Sequence, residues 1–155
     1  MYLREEDGYG LFPNISLRGV DTSRSAKITL MEDGILAAPA PYTAPSAYYS
    51  PTAGRMSGLE VLKGSSQVRY GPQVTGGVLN YLSTAIPVSR EIYVRNIYGA
   101  NNEIRVHGWA GDTFSMSAGK FGYVVETYYL TTDGFKEVDP ANGFDGSDET
   151  GFTNI

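Results

Sequence analysis

Cysteine is absent from the 155 residues. Disulfides, thiol nucleophiles and cysteine-bound metals are therefore excluded. Histidine occurs once, at His107, so paired imidazoles for a zinc site are lacking as well. No apolar run approaches the roughly 20 residues of a membrane-spanning helix. A membrane-embedded form would have to be a closed β-barrel, the other structure that satisfies every backbone group in lipid. The opening Met1-Tyr2-Leu3-Arg4-Glu5-Glu6-Asp7 has no apolar core of the secretory kind. A basic excess is missing too: 12 Lys and Arg face 17 Asp and Glu, for a net charge of −5. Nothing here would recruit nucleic acid.

The acidity is local. Residues 133–155 hold Asp133, Glu137, Asp139, Asp145, Asp148 and Glu149 against Lys136 alone, which leaves residues 1–132 neutral. Asp139–Glu149 lacks the Asp-x-Asp/Asn-x-Asp/Asn-Gly run of a calcium loop and reads as a solvated loop. Gly71, Gly76 and Gly77 are not followed by the Lys-Ser/Thr of a phosphate-binding loop. They read instead as turns where a side chain would clash.

What is abundant is glycine (19) and tyrosine (12), with only 19% charged residues. That mix favours turns and strands over long helices. Residues 1–13 read as loop. Strands are expected at Ile15–Val20, Lys27–Glu32, Leu59–Leu62 and Val78–Ser83, with Asp33-Gly34 as a turn. A single helical turn capped by Ser65 or Ser66 is expected to run to Tyr70. Residues 37–54 carry Pro39, Pro41, Pro45 and Pro51 among Tyr42, Tyr48 and Tyr49. Regular structure is excluded over most of it, and an aromatic loop of this length is more often functional or disordered than a neutral connection.

After residue 90 the pattern changes. Glu103–Gly111 alternates Ile104, Val106, Gly108 and Ala110 with Glu103, Arg105, His107 and Trp109. Tyr123–Thr131 alternates Tyr123, Val125, Thr127 and Tyr129 with Val124, Glu126, Tyr128 and Leu130. Glu91–Tyr98 is a weaker strand of the same sort. Strands of about 9–11 residues alternating in this way suit a membrane barrel. A soluble β-sandwich alternates likewise, so periodicity alone leaves both open.

Five segments, taken in order, resemble the plug of TonB-dependent outer-membrane receptors. They are Asn14-Ile15-Ser16-Leu17-Arg18-Gly19-Val20, Thr29-Leu30-Met31-Glu32-Asp33-Gly34-Ile35, Leu59-Glu60-Val61-Leu62-Lys63-Gly64, Arg69-Tyr70-Gly71-Pro72-Gln73 and Gly76-Gly77-Val78-Leu79-Asn80-Tyr81. Ser25-Ala26-Lys27, Ala40-Pro41-Tyr42, Tyr70-Gly71-Pro72-Gln73 and Thr84-Ala85-Ile86-Pro87 are similar to the ferric dicitrate subgroup. So are Phe121-Gly122-Tyr123 and Thr132-Asp133-Gly134-Phe135, at its early barrel strands.

The resemblance implies a mixed α/β plug domain over residues 1–87, a small mixed sheet with a short helix. The first antiparallel strands of a transmembrane β-barrel would follow over 88–155. Family members carry a TonB-box and the first part of the plug ahead of these motifs, and close about 22 strands around a plugged lumen. A fragment of a larger chain is therefore expected.

The implied function is uptake of a ferric chelate, ferric citrate or another siderophore, across the Gram-negative outer membrane. Energy would be relayed by the TonB complex of the inner membrane. Outer-membrane lipid, that complex and the cargo are the implied partners. No covalent chemistry, catalytic residue, resident metal or cofactor is expected.

A carboxylate-ligated ferric chelate is anionic. Arginine offers it a planar donor fork, and tyrosine a rigid face with a hydroxyl. The cargo-side candidates are Arg24 in the turn 21–26, Tyr42, Thr43, Ser46, Tyr48 and Tyr49 in the loop 37–51, and Gln73. Arg18, Glu60 and Lys63 would pair with the barrel wall, with Glu126 as one partner there. The alternative reading is a soluble β-rich binding module, a glycan binder or adhesin using Tyr42, Tyr48 and Tyr49.

Overall fold

A computed structural model describes residues 1–5, 8–21, 23–25, 27–37, 49–71, 74–136 and 151–155. The chain divides into two compact units, residues 1–83 and 84–155. The division falls between Ser83 and Thr84.

In the first unit, β1 (Tyr2–Glu5) pairs antiparallel with β2 (Pro13–Ser16). The opening was expected to be loop, because Tyr2–Glu5 is exposed throughout and shows no alternation. Its strand form comes from its partner, whose four residues are all buried. β2 ends at Ser16, short of the expected Val20, because Arg18 and Gly19 take left-handed backbone (φ 60° and 75°). Ser25 closes the segment. It is fully buried, and its hydroxyl accepts from Ile15 N at 2.9 Å and donates to Pro13 O at 3.2 Å.

β3 (Ile28–Glu32) turns through Asp33-Gly34 into β4 (Ile35–Leu36). Both turn residues have positive φ (50° and 80°), as a tight two-residue hairpin requires. β5 (Gly58–Leu62) and β6 (Gly77–Leu82) complete a sheet of order β4-β3-β6-β5. β3 and β6 run parallel and the other pairs antiparallel, so the sheet is mixed as expected.

The two central strands are buried on both faces. Ile28, Leu30, Leu79 and Tyr81 pack with Ile15 and Leu17 on one side. Met31, Val78 and Val74 pack with Leu62 and Tyr70 on the other. Gly76 and Gly77 sit where β6 enters this core. A β-carbon on Gly77 would stand 2.7 Å from Leu17 Cδ1, and one on Gly76 2.7 Å from Ile28 Cδ1.

The helical part of the expected α/β plug needs correction. Ser65–Tyr70 forms a 3-10 helix, with Gly64 at its N-cap and no side-chain cap bond. A segment of this length between two positive-φ glycines, Gly64 and Gly71, is too short for an α-helix to propagate. The other helical pieces, Ser23–Ser25 and Ala53–Arg55, are also 3-10 turns, and there is no α-helix among the described residues.

The second unit is an antiparallel meander of order β7-β8-β9-β10. Its strands are β7 (Glu91–Tyr98), β8 (Ile104–Met116), β9 (Gly119–Thr132) and β10 (Phe152–Asn154). Asn101 and Asn102, at φ 53° and 52°, make the tight β7–β8 turn, closed by Glu103 N donating to Ala100 O. β8 and β9 run 13 and 14 residues, beyond the expected spans.

Candidate functional site

The register of the meander sorts its side chains onto two unlike faces. Ile92 lies opposite Ala110, and Ala110 opposite Val125. The face through these residues also carries Val94, Tyr98, Ile104, Phe114, Phe121 and Tyr123. Asp112 is its only charged residue within β7–β9. These side chains are exposed, from 41% at Ile104 to 75% at Ile92. A contiguous apolar surface of this extent marks a lipid or protein interface. From Phe121 to Tyr129, β9 advances about 27 Å. That is roughly 20 Å of depth for a strand tilted by ~40°, close to the apolar band of an outer-membrane barrel.

The opposite face carries Glu91, Arg95, Arg105, His107, Lys120 and Glu126. Tyr93 stacks on Trp109 with ring centroids 5.9 Å apart, and His107 meets Tyr93 and Tyr128 edge-on. Glu126 Oε1 lies 2.8 Å from His107 Nε2 and accepts from Thr84 Oγ1 at 2.6 Å. On this face Glu126 and Arg105 have polar partners within the protein, whereas the apolar face is left bare.

In the first unit, Glu32 anchors the return of the proline-rich loop. Arg55 Nη2 donates to Glu32 Oε1 at 2.6 Å, and Tyr49 Oη donates to Glu32 Oε2 at 3.2 Å. Asp33 reaches the far end of β6, where its carboxylate accepts from both the backbone N and the hydroxyl of Ser83. Those two bonds hold the Asp33 carboxyl below the usual carboxylate range, against slight desolvation and with help from Arg55. Asn80 ties the two edges together: its Oδ1 accepts from Gly34 N and its Nδ2 donates to Glu60 Oε2.

Residues 2–78 match the family model described as the TonB-dependent receptor plug domain. Over these residues the chain is similar to that plug domain. No solved structure matches the chain. Plug domains of this family belong to transporters of the Gram-negative outer membrane, not to enzymes.

Of the cargo-side residues expected from sequence, Tyr49 is placed on Glu32 by the plug domain. The side chain of Arg24, and Tyr42, Thr43, Ser46, Tyr48 and Gln73, lie outside the described residues. Arg18 is exposed in the turn after β2, and Lys63 is exposed just past β5. Glu60 is engaged by Asn80, and Glu126 by His107 and Thr84. Glu32, Asp33 and Arg55 escaped sequence reasoning because their partners are 17 to 50 residues away. The one local hint was the Asp33-Gly34 turn, which announces a hairpin but not the reach of the Asp33 carboxylate.

Proposed function

We infer that the chain supplies the plug and the first membrane strands of a TonB-dependent outer-membrane transporter whose cargo is a ferric chelate, ferric citrate or another siderophore. The observation that carries this reading is an exposed apolar sheet face, backed by a polar one, on strands that follow directly on a plug domain. In a barrel the apolar face meets lipid and the polar face lines the lumen. Arg18, Glu60 and Lys63 on the plug and Glu126 on the wall are the charges proposed to seat one against the other. A buried pair of this kind adds little net stability yet is costly to break from one side. That suits a plug that is held and then released when the TonB complex draws on it.

The ferric-chelate assignment rests on the subgroup-like segments and on the chemistry of the loop residues. Arg24, Tyr42, Thr43, Ser46, Tyr48, Tyr49 and Gln73 offer a guanidinium fork, hydroxyls and an amide to a carboxylate-rich anion. The test is growth of a strain lacking the gene, with ferric citrate as the sole iron source. Growth should fail and return with the wild-type gene, and Arg24→Ala should restore it less well. Unimpaired growth of the deletion strain would remove ferric citrate as cargo. The soluble-module alternative predicts a monodisperse protein without detergent, whereas the exposed apolar face predicts aggregation until detergent is added.

A further inference from the structure

The four residues that leave the plug domain, Thr84-Ala85-Ile86-Pro87, do not form a free linker. They are laid into a prepared track on the polar face of the β8–β9 hairpin. At one end Thr84 Oγ1 donates to Glu126 Oε1 at 2.6 Å, on the same oxygen that meets His107. At the other end Thr113 Oγ1 donates to Pro87 O at 2.6 Å, and Pro87 is buried. Between them the floor of the track is glycine. A β-carbon on Gly122 would stand 2.6 Å from Ile86 Cγ2. One on Gly111 would stand 2.7 Å from Pro87 Cδ. A β-carbon on Gly111 would also stand 2.7 Å from Tyr123 O, and one on Gly122 2.8 Å from Thr113 Oγ1, so neither position has room for a side chain.

The residue just before the track is held by a different body. Ser83 donates from its backbone N and its hydroxyl to Asp33, and its carbonyl accepts from Ser57 Oγ at 2.8 Å. Consecutive residues are therefore bonded to separate units, with one peptide bond between them and no slack. A tension passed along the chain cannot be taken up by a loose linker. It falls on the bonds of Ser83 on one side and on those of Thr84 and Pro87 on the other.

We propose that residues 84–87 are a docked strap that ends the releasable part of the plug. Tension drawn through the plug stops at Thr84, so the first unit can rearrange or unravel while β7–β9 stay in place. Thr84, Glu126, Thr113, Gly111 and Gly122 are its positioning residues. The proposal rests on the transporter reading, because only a plug that is pulled needs such a stop.

The test is force spectroscopy on the full receptor that contains this chain, reconstituted in a supported bilayer. These 155 residues hold no cysteine, so Tyr2→Cys supplies a handle in this part of the receptor, with any cysteine outside it replaced by serine. Pulling should release about 29 nm of chain at up to ~3.6 Å per residue, ending at residue 83, before a distinct higher-force event. The double variant Thr84→Val/Thr113→Val removes both strap donors with little change of shape. It should lower the force of that final event and lengthen the release by about 2.5 nm, to the start of β7. A single Ala85→Ser change, which touches neither bond, serves as control and should match the wild type. Wild-type release that runs past residue 84 without pause, or an unchanged double variant, would overturn the strap. Failure of the protein to anchor in the bilayer at all would instead overturn the transporter reading.

Discussion

Val125 lies near the middle of β9 on the apolar face, in one row with Ala110 and Ile92, and it is 68% exposed. In water an arginine at so open a position would change stability by no more than about 0.5 kcal/mol. Facing lipid at the bilayer midplane, the same substitution costs about 2–4 kcal/mol. At 1.4 kcal/mol per decade this is roughly 30- to 700-fold in the folding equilibrium. The contrast comes from the surroundings alone, since the protein has little packing at this site to lose. The assay is equilibrium urea unfolding of the receptor from phosphatidylcholine vesicles, comparing Val125→Arg with Val88→Arg. Val88 precedes β7 and is 87% exposed, so its replacement should stay within about 0.5 kcal/mol. Equal, small costs at the two positions would refute a lipid-facing β9.

Other consequences concern the plug. Glu32→Ala removes the acceptor of both Arg55 and Tyr49. The pair is about a quarter exposed, so the loss should be about 1 kcal/mol. It should show as faster amide exchange at Arg55 and Met56 with Leu79 unchanged. Asp33 has a depressed native pKa, held down chiefly by the Ser83 hydroxyl and then by its backbone N–H. Its contribution is present above the unfolded carboxylate value of about 4 and is lost as pH falls through the lower native value. Exchange protection of the Ser83 amide should follow that course, and in Asp33→Asn it should lose its pH dependence. Leu79→Ala empties a site 1% exposed between β3 and β5 and should cost about 2–5 kcal/mol by urea titration.

β7 was legible in the sequence because period-two alternation is a local signal, and its bounds agree with expectation. β8 and β9 were read too short, ending at Gly111 and starting at Tyr123. Asp112 interrupts the apolar face, and Gly111 and Gly122 leave the pattern blank. Those glycines carry no side-chain signal because the strap occupies the space. β1 was invisible because an exposed strand made by its partner has no pattern of its own. The sheet of the plug was readable from its apolar runs, whereas the 3-10 geometry of Ser65–Tyr70 was not, since a capped turn looks alike in either helix. Among the candidate site residues, types and loop membership could be read directly. The Glu32, Asp33 and Glu126 partnerships could not, because each joins residues far apart in the chain.

As part of a barrel wall, β7–β9 would present one face to lipid and the other to a polar interior. Cysteine is absent from these 155 residues, so single labels can be placed in them once any cysteine elsewhere in the receptor is replaced. Single cysteines at Ile92, Val94 and Val125, and at Arg95, Arg105 and Val124, would be spin-labelled in the vesicle-bound receptor. Their collision rates with oxygen and with a water-soluble nickel chelate would then be compared. High oxygen and low nickel access is expected at Ile92, Val94 and Val125, with oxygen access low at Arg95, Arg105 and Val124. Equal nickel access on both faces would contradict it.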